Sequence, residues 1–268
     1  MPVALVNYKD QMDYVISVPQ QLKRIVSLVP SQTEFLCDLG LENQIVGITK
    51  FCIHPNSCYQ TKVRVGGTKD FNFETIKLLQ PDIIIANKEE NEKDLLFKLK
   101  QKYPVWISDI INLEQSLDMM FRLGEMFQKK QEAASIVNQI ADQFSALKPL
   151  TQSKRVAYFI WRKPYMSVNK DTFIHDMLQR CGFENCFAMS STRYPSVTAE
   201  DLKAADPEII FLSSEPYPFQ QKHFEEIRNV CPQARIFLVN GEMFSWYGSR
   251  LSKSPAYFNK LCDKIQSQ

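Results

Sequence analysis

The chain has 268 residues, of which 44% are hydrophobic and 23% are charged, and its formal net charge at pH 7 is +2. This composition is typical of a folded globular protein and excludes a disordered or fibrous chain. Because 32 basic residues nearly balance 30 acidic ones, no strongly basic surface is predicted and nucleic acid is excluded as a partner. No apolar run approaches the ~20 residues that span a bilayer, so an integral membrane protein is excluded as well.

Strand-like and helix-like segments alternate from Arg24 onward. Ser31 and Glu34, placed just before an apolar run, predict a capping box at the start of the first helix. Consecutive apolar residues from Ile83 to Ala86 are typical of a strand that is buried on both faces of a parallel sheet. The predicted elements of this half are strands at Arg24–Val29, Ile45–Thr49, Asp82–Ala86 and Val105–Ser108 and a helix at Phe73–Leu79. This order predicts βαβ units and a mainly parallel sheet.

A long amphipathic stretch follows these units. Apolar residues recur at three-, four- and seven-residue steps from Leu113 to Phe144, and proline is absent until Pro149. We predict one helix over Leu113–Leu147, which at ~1.5 Å per residue extends roughly 50 Å and ties two lobes together. Gly124 lies inside it at a cost of ~1 kcal/mol. A coiled-coil dimer is the alternative, although the polar face lacks regular charge pairing.

The chain contains an internal repeat at an offset of 126 residues, in which Phe73–Ile85 corresponds to Ala199–Phe211. In both copies a polar capping residue, Asn72 or Thr198, precedes a short helix. A proline and an acidic residue then separate that helix from a buried strand. A repeat of this length indicates paired lobes. We predict an N-terminal α/β lobe at 1–112, a bridging helix at 113–147 and a C-terminal α/β lobe at 148–268.

Four segments resemble the substrate-binding proteins of cobalamin and ferric-siderophore ABC importers, which are metal-chelate receptors of the helical-backbone type. The segments are Arg24–Leu36, Ile45–Thr49, Arg64–Gly67 and Phe73–Asp82. The resemblance implies a class III periplasmic-binding-protein-like α/β fold, with two similar lobes of mainly parallel sheet joined by a single long backbone helix. It also implies a monomer without an intrinsic cofactor, which captures cobalamin, haem or a ferric siderophore in the cleft between its lobes and delivers it to an ABC permease.

Two glutamates are candidates for docking to that permease. In cobalamin-binding members one exposed glutamate on each lobe docks into arginines of the permease, and the matching positions are Glu74 and Glu200. The alternative is that each is a first-turn acid that stabilises its helix by ~0.3 to 1 kcal/mol through the helix dipole.

A flat chelate requires aromatic walls and a few polar groups that fix its orientation. Ligands of open α/β sheets collect at the carboxyl ends of the strands, so we expect contacts from the loops there. The candidates are Phe51 and His54 after the strand at Ile45–Thr49, Trp161, Arg162 and Tyr165 after a strand at Val156–Ile160, and Arg193 and Tyr194 before the helix of the second repeat. By resemblance, Phe51 and Tyr194 match aromatic cleft positions of cobalamin-binding members, whereas Thr68 stands where such members can carry a tryptophan.

The densest group of candidates follows a predicted strand at Ile236–Val239. This group combines charge with flat aromatic surface, which predicts binding of a carboxylated or amidated chelate; its members are Glu242, Trp246, Tyr247 and Arg250. The alternative is a helix start whose aromatic residues pack on the second lobe.

Direct metal binding by side chains is not predicted. His54, His175 and His223 are not at ligand spacing, and no cysteine pair has the spacing of a zinc knuckle. A metal is expected inside its chelate, with His54 or Tyr165 as a candidate axial ligand. Because the nucleophile-elbow, dinucleotide, Walker and HExxH motifs are missing, we predict that the protein is not an enzyme.

The sequence leaves the cellular location open. The resemblance implies a periplasmic protein, yet the first twenty residues do not have the pattern of a signal peptide. Seven cysteines without a CxxC pair are typical of unpaired thiols in a reducing compartment. The alternative function is therefore a cytosolic corrinoid or metal-chelate carrier, or an enzyme subunit, on the same fold.

Overall fold

The structure is a computed structural model that describes residues 4–267. The strands are β1 (Leu5–Lys9), β2 (Val15–Pro19), β3 (Ile25–Ser27), β4 (Ile45–Ile48), β5 (Val63–Arg64), β6 (Ile83–Asn87), β7 (Val105–Ser108), β8 (Lys154–Phe159), β9 (Tyr165–Met166), β10 (Phe183–Asn185), β11 (Ser196–Val197), β12 (Ile209–Ser213) and β13 (Arg235–Val239). The helices are α1 (Pro30–Asp38), α2 (Asn56–Thr61), α3 (Phe73–Leu79), α4 (Lys93–Lys100), α5 (Leu113–Met126), α6 (Lys130–Ser145), α7 (Phe173–Arg180), α8 (Ala199–Ala205), α9 (Phe224–Arg228), α10 (Gly241–Ser245) and α11 (Ser254–Gln266). None of the helices in this part of the chain has the length and apolar character needed to cross a membrane.

The described chain divides into two compact units. The first comprises the residues up to Asp109, Glu114–Ile140 and Tyr247–Arg250, and the second comprises Ile110–Leu113, Ala141–Trp246 and the residues from Leu251 onward. These bounds differ from the predicted ones in three places. The structure groups Tyr247–Arg250 with the first unit and residues 110–112 with the second, and the predicted bridging segment 113–147 is divided between the units after Ile140.

The first unit is built on a five-stranded sheet in the order β5-β4-β3-β6-β7, and every pairing in it is parallel. All residues of β6 and β7 are buried, as is usual for strands that are covered on both faces. One face packs against Ile76 of α3 and Leu99 of α4. β1 and β2 form a separate antiparallel hairpin.

The second unit is built on a four-stranded parallel sheet in the order β10-β8-β12-β13. Every residue of β12 is buried, and Leu202 of α8 and Ile227 of α9 belong to the same core cluster as Ile210. The predicted mainly parallel sheets are therefore confirmed in both halves of the chain, and α3 has the predicted bounds.

The repeated segment has the same local structure in both units. α3 and α8 are each seven residues long and follow an N-cap residue, Asn72 or Thr198, whose side chain accepts a backbone N–H three residues later. Each helix ends at a non-glycine residue in the left-handed region, Gln80 or Asp206, both with a φ of 43°. This agreement supports the duplication that the sequence indicates.

The acidic residue that follows the repeated proline ties each repeat to the first strand of its sheet. Asp82 accepts the backbone N–H of Arg24 over 2.9 Å, and Glu208 accepts that of Arg155 over 3.1 Å. Each arginine in turn donates to the carbonyl of the left-handed residue that ends the helix, over 3.2 Å from Arg24 and 2.8 Å from Arg155. The same polar clamp is thus built twice.

The predicted unbroken helix over Leu113–Leu147 is wrong in one respect. The stretch is helical, but α5 ends at Met126 and a second helix, α6, begins at Lys130. Gln128 between them has a positive φ of 57°, which interrupts the helix. Apolar periodicity did not reveal the break, because the residue in the left-handed conformation is a glutamine where glycine is the usual signal.

Hydrogen bonds at the end of α5 form a Schellman C-cap. The N–H of Lys129 donates to the carbonyl of Gly124 over 2.6 Å, and that of Gln128 donates to Glu125 over 3.1 Å. A Cβ atom on Gly124 would lie only 2.3 Å from the Cβ atom of Ala133 in α6. The glycine inside the stretch therefore allows the two helices to approach closely at the break.

The predicted capping box at Ser31 is also wrong. α1 begins at Pro30, so its N-cap residue is Val29, two residues before Ser31, and Val29 makes no side-chain hydrogen bond. Proline fits this first position because its φ is already helical and the first turn does not need its N–H. Ser31 and Glu34 are both buried, and Glu34 has a different partner, described below.

Candidate functional site

In each sheet the strand order reverses at one strand, so that strands which follow it in the chain lie on both of its sides. This strand is β3 in the first unit, between β4 and β6, and β8 in the second unit, between β10 and β12. Loops diverge at such a switch point, so the carboxyl ends of the neighbouring strands form a natural ligand site. The candidate site is therefore described at the carboxyl edge of each sheet in turn.

The loop after β4 carries Phe51 and His54. Phe51 is 49% exposed, and the Nζ atom of Lys50 lies 5.2 Å from its ring centroid. The next residue, Cys52, is fully buried, and Thr33 of α1 donates a hydrogen bond to its sulfur over 3.2 Å. Burial raises the pKa of Cys52 to about 11. The loop thus presents an aromatic ring to solvent next to a well-anchored residue, whereas His54 is half-buried.

A buried polar cluster at the carboxyl edge of the first sheet was not predicted. The side-chain amides of Asn87 and Gln32 both donate to the hydroxyl of Ser108, Asn87 over 3.0 Å. Ser31 Oγ and Gln32 Oε1 are buried without a hydrogen-bond partner in residues 4–267. Because buried polar atoms are nearly always paired, these two are available to a water or to a polar ligand atom. The signal in the sequence was the polar run directly after a buried strand, which was interpreted as a helix cap.

A partly exposed aromatic pair lies at the switch point of the second unit. Trp161, after β8, is 41% exposed and packs edge-to-face on Tyr217, with ring centroids 5.8 Å apart. Tyr217 follows β12, the neighbour of β8 in the sheet. Tyr217 was not among the predicted site residues, because only the sheet order brings the two loops together.

The guanidinium of Arg162 is engaged within the second unit. It donates to both carboxylate oxygens of Glu226, over 2.7 and 2.8 Å. The bond to Glu226 raises the pKa of Arg162 and lowers that of Glu226, so both groups stay charged near neutral pH. This geometry favours a role in holding the loop that carries Trp161 to α9.

Tyr165 packs into the apolar core of the second unit. Its ring stacks on Phe219 at 6.2 Å and meets Phe159 edge-on at 5.2 Å. Its hydroxyl is buried and has no hydrogen-bond partner in the described part of the chain. This packing favours a core position over the predicted role as an axial ligand. Within residues 4–267, no group of three or more His, Cys, Asp and Glu side chains is arranged to hold a metal ion.

Arg193 and Tyr194 lie in the loop before β11. Arg193 Nε donates to the carbonyl of Asp171 over 2.6 Å, and its own carbonyl accepts the N–H of Asn169 over 2.9 Å. Tyr194 is 39% exposed. The arginine therefore holds its loop against the 169–171 segment, and the neighbouring tyrosine presents ring surface to solvent.

Glu242 and Trp246 lie in and directly after α10. The indole of Trp246 donates to Glu215 Oε1 over 2.9 Å, and Ser245 donates to the same oxygen over 2.6 Å. Trp246 is buried and Glu242 is half-buried, with its N–H bound to the side chain of Asn240. The position of Trp246 agrees with the alternative interpretation, in which this segment packs on the second half of the chain.

Tyr247 and Arg250 are buried in the first unit. Arg250 donates to both carboxylate oxygens of Glu34, and the hydroxyl of Tyr247 donates to Glu90. As whole residues, both are below 8% exposed. Their contacts hold the segment Tyr247–Arg250 to α1 and to the loop after β6, which favours a structural role over the predicted contact with ligand.

Glu74 and Glu200 occupy the second position of α3 and α8 and are exposed. Glu74 lies 3.8 Å from Lys77 in a solvent-exposed pair. In α8 it is Asp201, not Glu200, that forms the capping box with Thr198. The two glutamates are therefore equivalent in local structure, and neither is the residue that caps its helix.

The repeat, the parallel sheets and the exposed aromatic residues at their carboxyl edges agree with a comparison against known families. A family model described as periplasmic binding protein matches residues 25–229. The chain belongs to this family. The match begins at β3 and ends just after α9, so it includes the loops that carry Phe51, Trp161 and Tyr194, and the family is one of binding proteins.

Individual relatives of this periplasmic binding protein support the assignment. The vitamin B12-binding protein of Vibrio parahaemolyticus is 26% identical over 198 residues, which cover 72% of each chain. The structure of the periplasmic vitamin B12-binding protein of Vibrio cholerae has a TM-score of 0.74 at 22% identity and covers 92% of this chain and 99% of its own. The periplasmic haem-binding protein of Roseiflexus sp. RS-1 has a TM-score of 0.79 at 17% identity, covering 91% and 98%. The predicted family and fold are confirmed.

Proposed function

We propose that this periplasmic binding protein captures a metal chelate and delivers it to an ABC importer. The ligand is a cobalamin-like corrinoid, a haem or a ferric siderophore. One observation carries the proposal: large aromatic side chains lie partly exposed at the carboxyl ends of the strands in both units. They are Phe51, after β4, in the first unit and Trp161, after β8, in the second, and Tyr194 in the loop before β11 is likewise partly exposed. Flat rings of this kind pack against macrocycles and catecholates.

The polar groups at the carboxyl edge of the first sheet are suited to a ligand whose metal is already bound within a chelate. Ser31 and Gln32 offer hydroxyl and amide oxygen atoms, and Asn87 lies in the same cluster. Such neutral groups orient the amide or carboxylate substituents of a chelate, whereas a bare transition metal prefers imidazole or thiolate ligands. The relatives named for vitamin B12 and for haem support the same ligand class.

We assign a binding role and no catalytic step, in keeping with a family of binding proteins. Delivery to a permease is supported by the exposure of Glu74 and Glu200 at equivalent positions of the repeat. Carboxylates in the first turn of each helix are available to arginine side chains of a partner, because neither caps its own helix.

Absorbance titration tests the ligand class. The purified protein is titrated separately with cyanocobalamin, haemin and a ferric catecholate siderophore, and one of the three is expected to show a saturable change in its visible spectrum. In Trp161→Ala and Phe51→Ala, the loss of a stacking ring is expected to weaken that ligand about 3- to 10-fold. Phe97→Ala is the matched control, because Phe97 is 65% exposed but lies on α4.

Two results would reject the proposal. One is the lack of saturable binding for all three chelates by a protein that is folded by circular dichroism. The other is an equal loss of affinity in Phe97→Ala and Trp161→Ala, which would show that the strand ends are not the binding site.

Transport assays test the docking role separately. The double variant Glu74→Ala, Glu200→Ala is expected to bind the chelate as tightly as the wild type while it no longer stimulates uptake by the reconstituted permease. Glu184→Ala removes an exposed carboxylate from β10 and serves as the control. Unchanged uptake with the double variant would contradict docking through these residues and leave chelate binding untouched.

A further inference from the structure

The loop that carries Trp161 is fixed through its main chain. The N–H of Met166 donates to the carbonyl of Trp161 over 3.1 Å, and the N–H of Ile160 donates to the carbonyl of Met166 over 3.0 Å. The loop after β12 is tied to the same place, because the N–H of Tyr217 donates to the carbonyl of Ile160 over 3.2 Å. The backbones of Trp161 and Tyr217 are therefore held close together at the carboxyl ends of two neighbouring strands.

The indole ring of Trp161 packs on the ring of Tyr217. The two rings meet at an interplanar angle of 72°, with centroids 5.8 Å apart, and edge-to-face pairs of this kind are favourable beyond the apolar area that they bury. Trp161 is 41% exposed, whereas Tyr217 is half-buried and packs against the core cluster that contains Phe219. Tyr217 therefore links the exposed indole to the core of the second unit.

Tyr217 is itself held by two neighbours. Its ring centroid lies 4.8 Å from that of Phe219 and 5.6 Å from that of His223, and its hydroxyl lies 3.4 Å from His223 Nε2. His223 is only 4% exposed, and its Nδ1 accepts the N–H of Gln220 over 2.9 Å. Because Nδ1 is an acceptor, the neutral imidazole carries its proton on Nε2 and donates it to the hydroxyl of Tyr217. Both the ring and the hydroxyl of Tyr217 are thus fixed.

We propose that Tyr217 is a positioning residue for chelate binding, whose ring holds the indole of Trp161 in the orientation that contacts the chelate. This role rests on the proposed function, in which Trp161 packs against the ligand. A side chain in an exposed loop loses conformational freedom when a ligand immobilises it, and this loss weakens binding. A ring that is already held before the ligand arrives avoids most of that loss.

A positioning residue differs from a residue that contacts the ligand. It acts through the group that it holds, so its removal has no further effect once that group is gone. Removal of the Tyr217 ring is therefore expected to weaken binding in a chain that contains Trp161 and to have no effect in a chain that lacks it. A ring that contacted the chelate directly would contribute in both chains.

Fluorescence quenching tests the support of Trp161 without any ligand. The chain has three tryptophans, of which Trp106 and Trp246 are only 1% and 7% exposed. Quenching by iodide, which reaches exposed rings, therefore reports mainly on Trp161. In Tyr217→Ala the indole loses the ring on which it packs, so the quenching constant is expected to rise above that of the wild type.

Tyr103→Ala is the matched control for quenching. Tyr103 is also a half-buried tyrosine, but it packs against the core cluster of the first unit. The quenching constant of this variant is expected to equal that of the wild type, with all proteins shown to be folded by circular dichroism. An unchanged constant in Tyr217→Ala, or an equal rise in Tyr103→Ala, would overturn the proposal.

Chelate titration tests the consequence for binding. The probe is whichever of cyanocobalamin, haemin and a ferric catecholate siderophore binds the wild type saturably. Tyr217→Ala is expected to weaken that chelate about 3- to 10-fold, because the indole is no longer held for stacking. In the double variant Trp161→Ala, Tyr217→Ala, the loss is expected to equal that of Trp161→Ala alone. Wild-type affinity in Tyr217→Ala, or an additive loss in the double variant, would refute the positioning role.

Tyr217→Phe is the conservative variant, because it keeps the ring and removes the hydroxyl that His223 binds. Its affinity is expected to stay within about 3-fold of the wild type, with a quenching constant below that of Tyr217→Ala. A loss as large as that of Tyr217→Ala would show that the ring is not what holds Trp161.

Two further outcomes are covered by the same experiments. If Tyr217→Ala does not fold, Tyr217→Leu takes its place with the same expected results, because leucine fills the space without a flat ring. If the folded wild type binds none of the three chelates, the proposed function is rejected, whereas quenching still decides whether Tyr217 holds Trp161.

Discussion

Arg250 and Glu34 form a buried ion pair across 216 positions of sequence, with two hydrogen bonds of 2.7 and 2.8 Å between guanidinium and carboxylate. Their side chains are only 8% and 10% exposed. Ser249 next to Arg250 also hydrogen-bonds Asp38, in the last turn of α1. Through these contacts, residues from near the end of the chain complete the first unit.

Arg250→Ala is expected to lower the free energy of unfolding by about 3 to 5 kcal/mol, because it leaves the Glu34 carboxylate buried without a partner. Arg122→Ala is the control. It breaks an exposed pair with Asp118, in which both side chains are at least 40% exposed, and is expected to cost less than about 1 kcal/mol. Urea unfolding of both variants makes the comparison, and equal losses would contradict a special role for the buried pair.

Gln80→Gly is expected to stabilise the protein by about 0.5 to 1 kcal/mol, because glycine adopts the left-handed backbone of this helix end without strain. Gln101→Gly is the matched control, since Gln101 ends α4 with a right-handed φ of −72°. There the more flexible unfolded chain is expected to reduce stability. Unfolding temperatures that move in the same direction in both variants would refute the reasoning.

Gly124→Ala is expected to destabilise the protein by about 1 to 3 kcal/mol, because the new methyl group overlaps the Cβ atom of Ala133. Adding Ala133→Gly removes that overlap, so the double variant is expected to regain part of the loss. Chemical denaturation of the three proteins measures this coupling. Purely additive effects would show that the two positions do not compete for space.

Stability is expected to fall as the pH is lowered from about 7 to 5.5. Burial lowers the pKa of His223 below its ordinary value, and nearby Arg162 and Lys222 act in the same direction. The neutral ring accepts the N–H of Gln220 over 2.9 Å, and protonation removes that acceptor. A lowered folded pKa means that the contribution is present above the unfolded value of about 6.5 and is lost as the pH falls below it.

His223→Asn tests this origin of the pH dependence, because it keeps a side-chain acceptor near Gln220 but does not titrate. Its unfolding temperature is expected to change less between pH 7.5 and 5.5 than that of the wild type. His175, whose pKa burial also lowers, is expected to account for part of the remaining slope. An unchanged slope in His223→Asn would contradict the assignment.

Local patterns in the sequence were sufficient for most of the sheet. Strand β7 and helix α3 have their predicted bounds, and the other strands predicted in the first half differ at their ends by one or two residues. Apolar periodicity reports which face of a segment is buried, and this is a local property. The break at Gln128 was not predicted, because a left-handed glutamine has no compositional signal.

For the candidate site residues, too, the sequence predicted local features but not long-range contacts. Phe51, Trp161 and Tyr194 lie in loops and are partly exposed, and their contact with a ligand stays a prediction. Residue type alone did not distinguish these exposed aromatic residues from Trp246, which is buried and donates a hydrogen bond to Glu215. Arg162 was expected to contact the ligand, but its two hydrogen bonds to Glu226 depend on a helix 64 positions further along the chain.

By itself, the sequence determined the parallel sheets, the duplicated α3 and α8 segments and the resemblance to periplasmic binding proteins. Each of these rests on side-chain periodicity or on short motifs, so neighbouring residues carry the information. The tertiary structure alone decided that Arg250 pairs with Glu34 and that Tyr217 packs against Trp161. Those contacts depend on which strands are neighbours in a sheet and which loops meet at the strand ends. The strand order is fixed by packing of the whole core, which involves residues far apart in the chain.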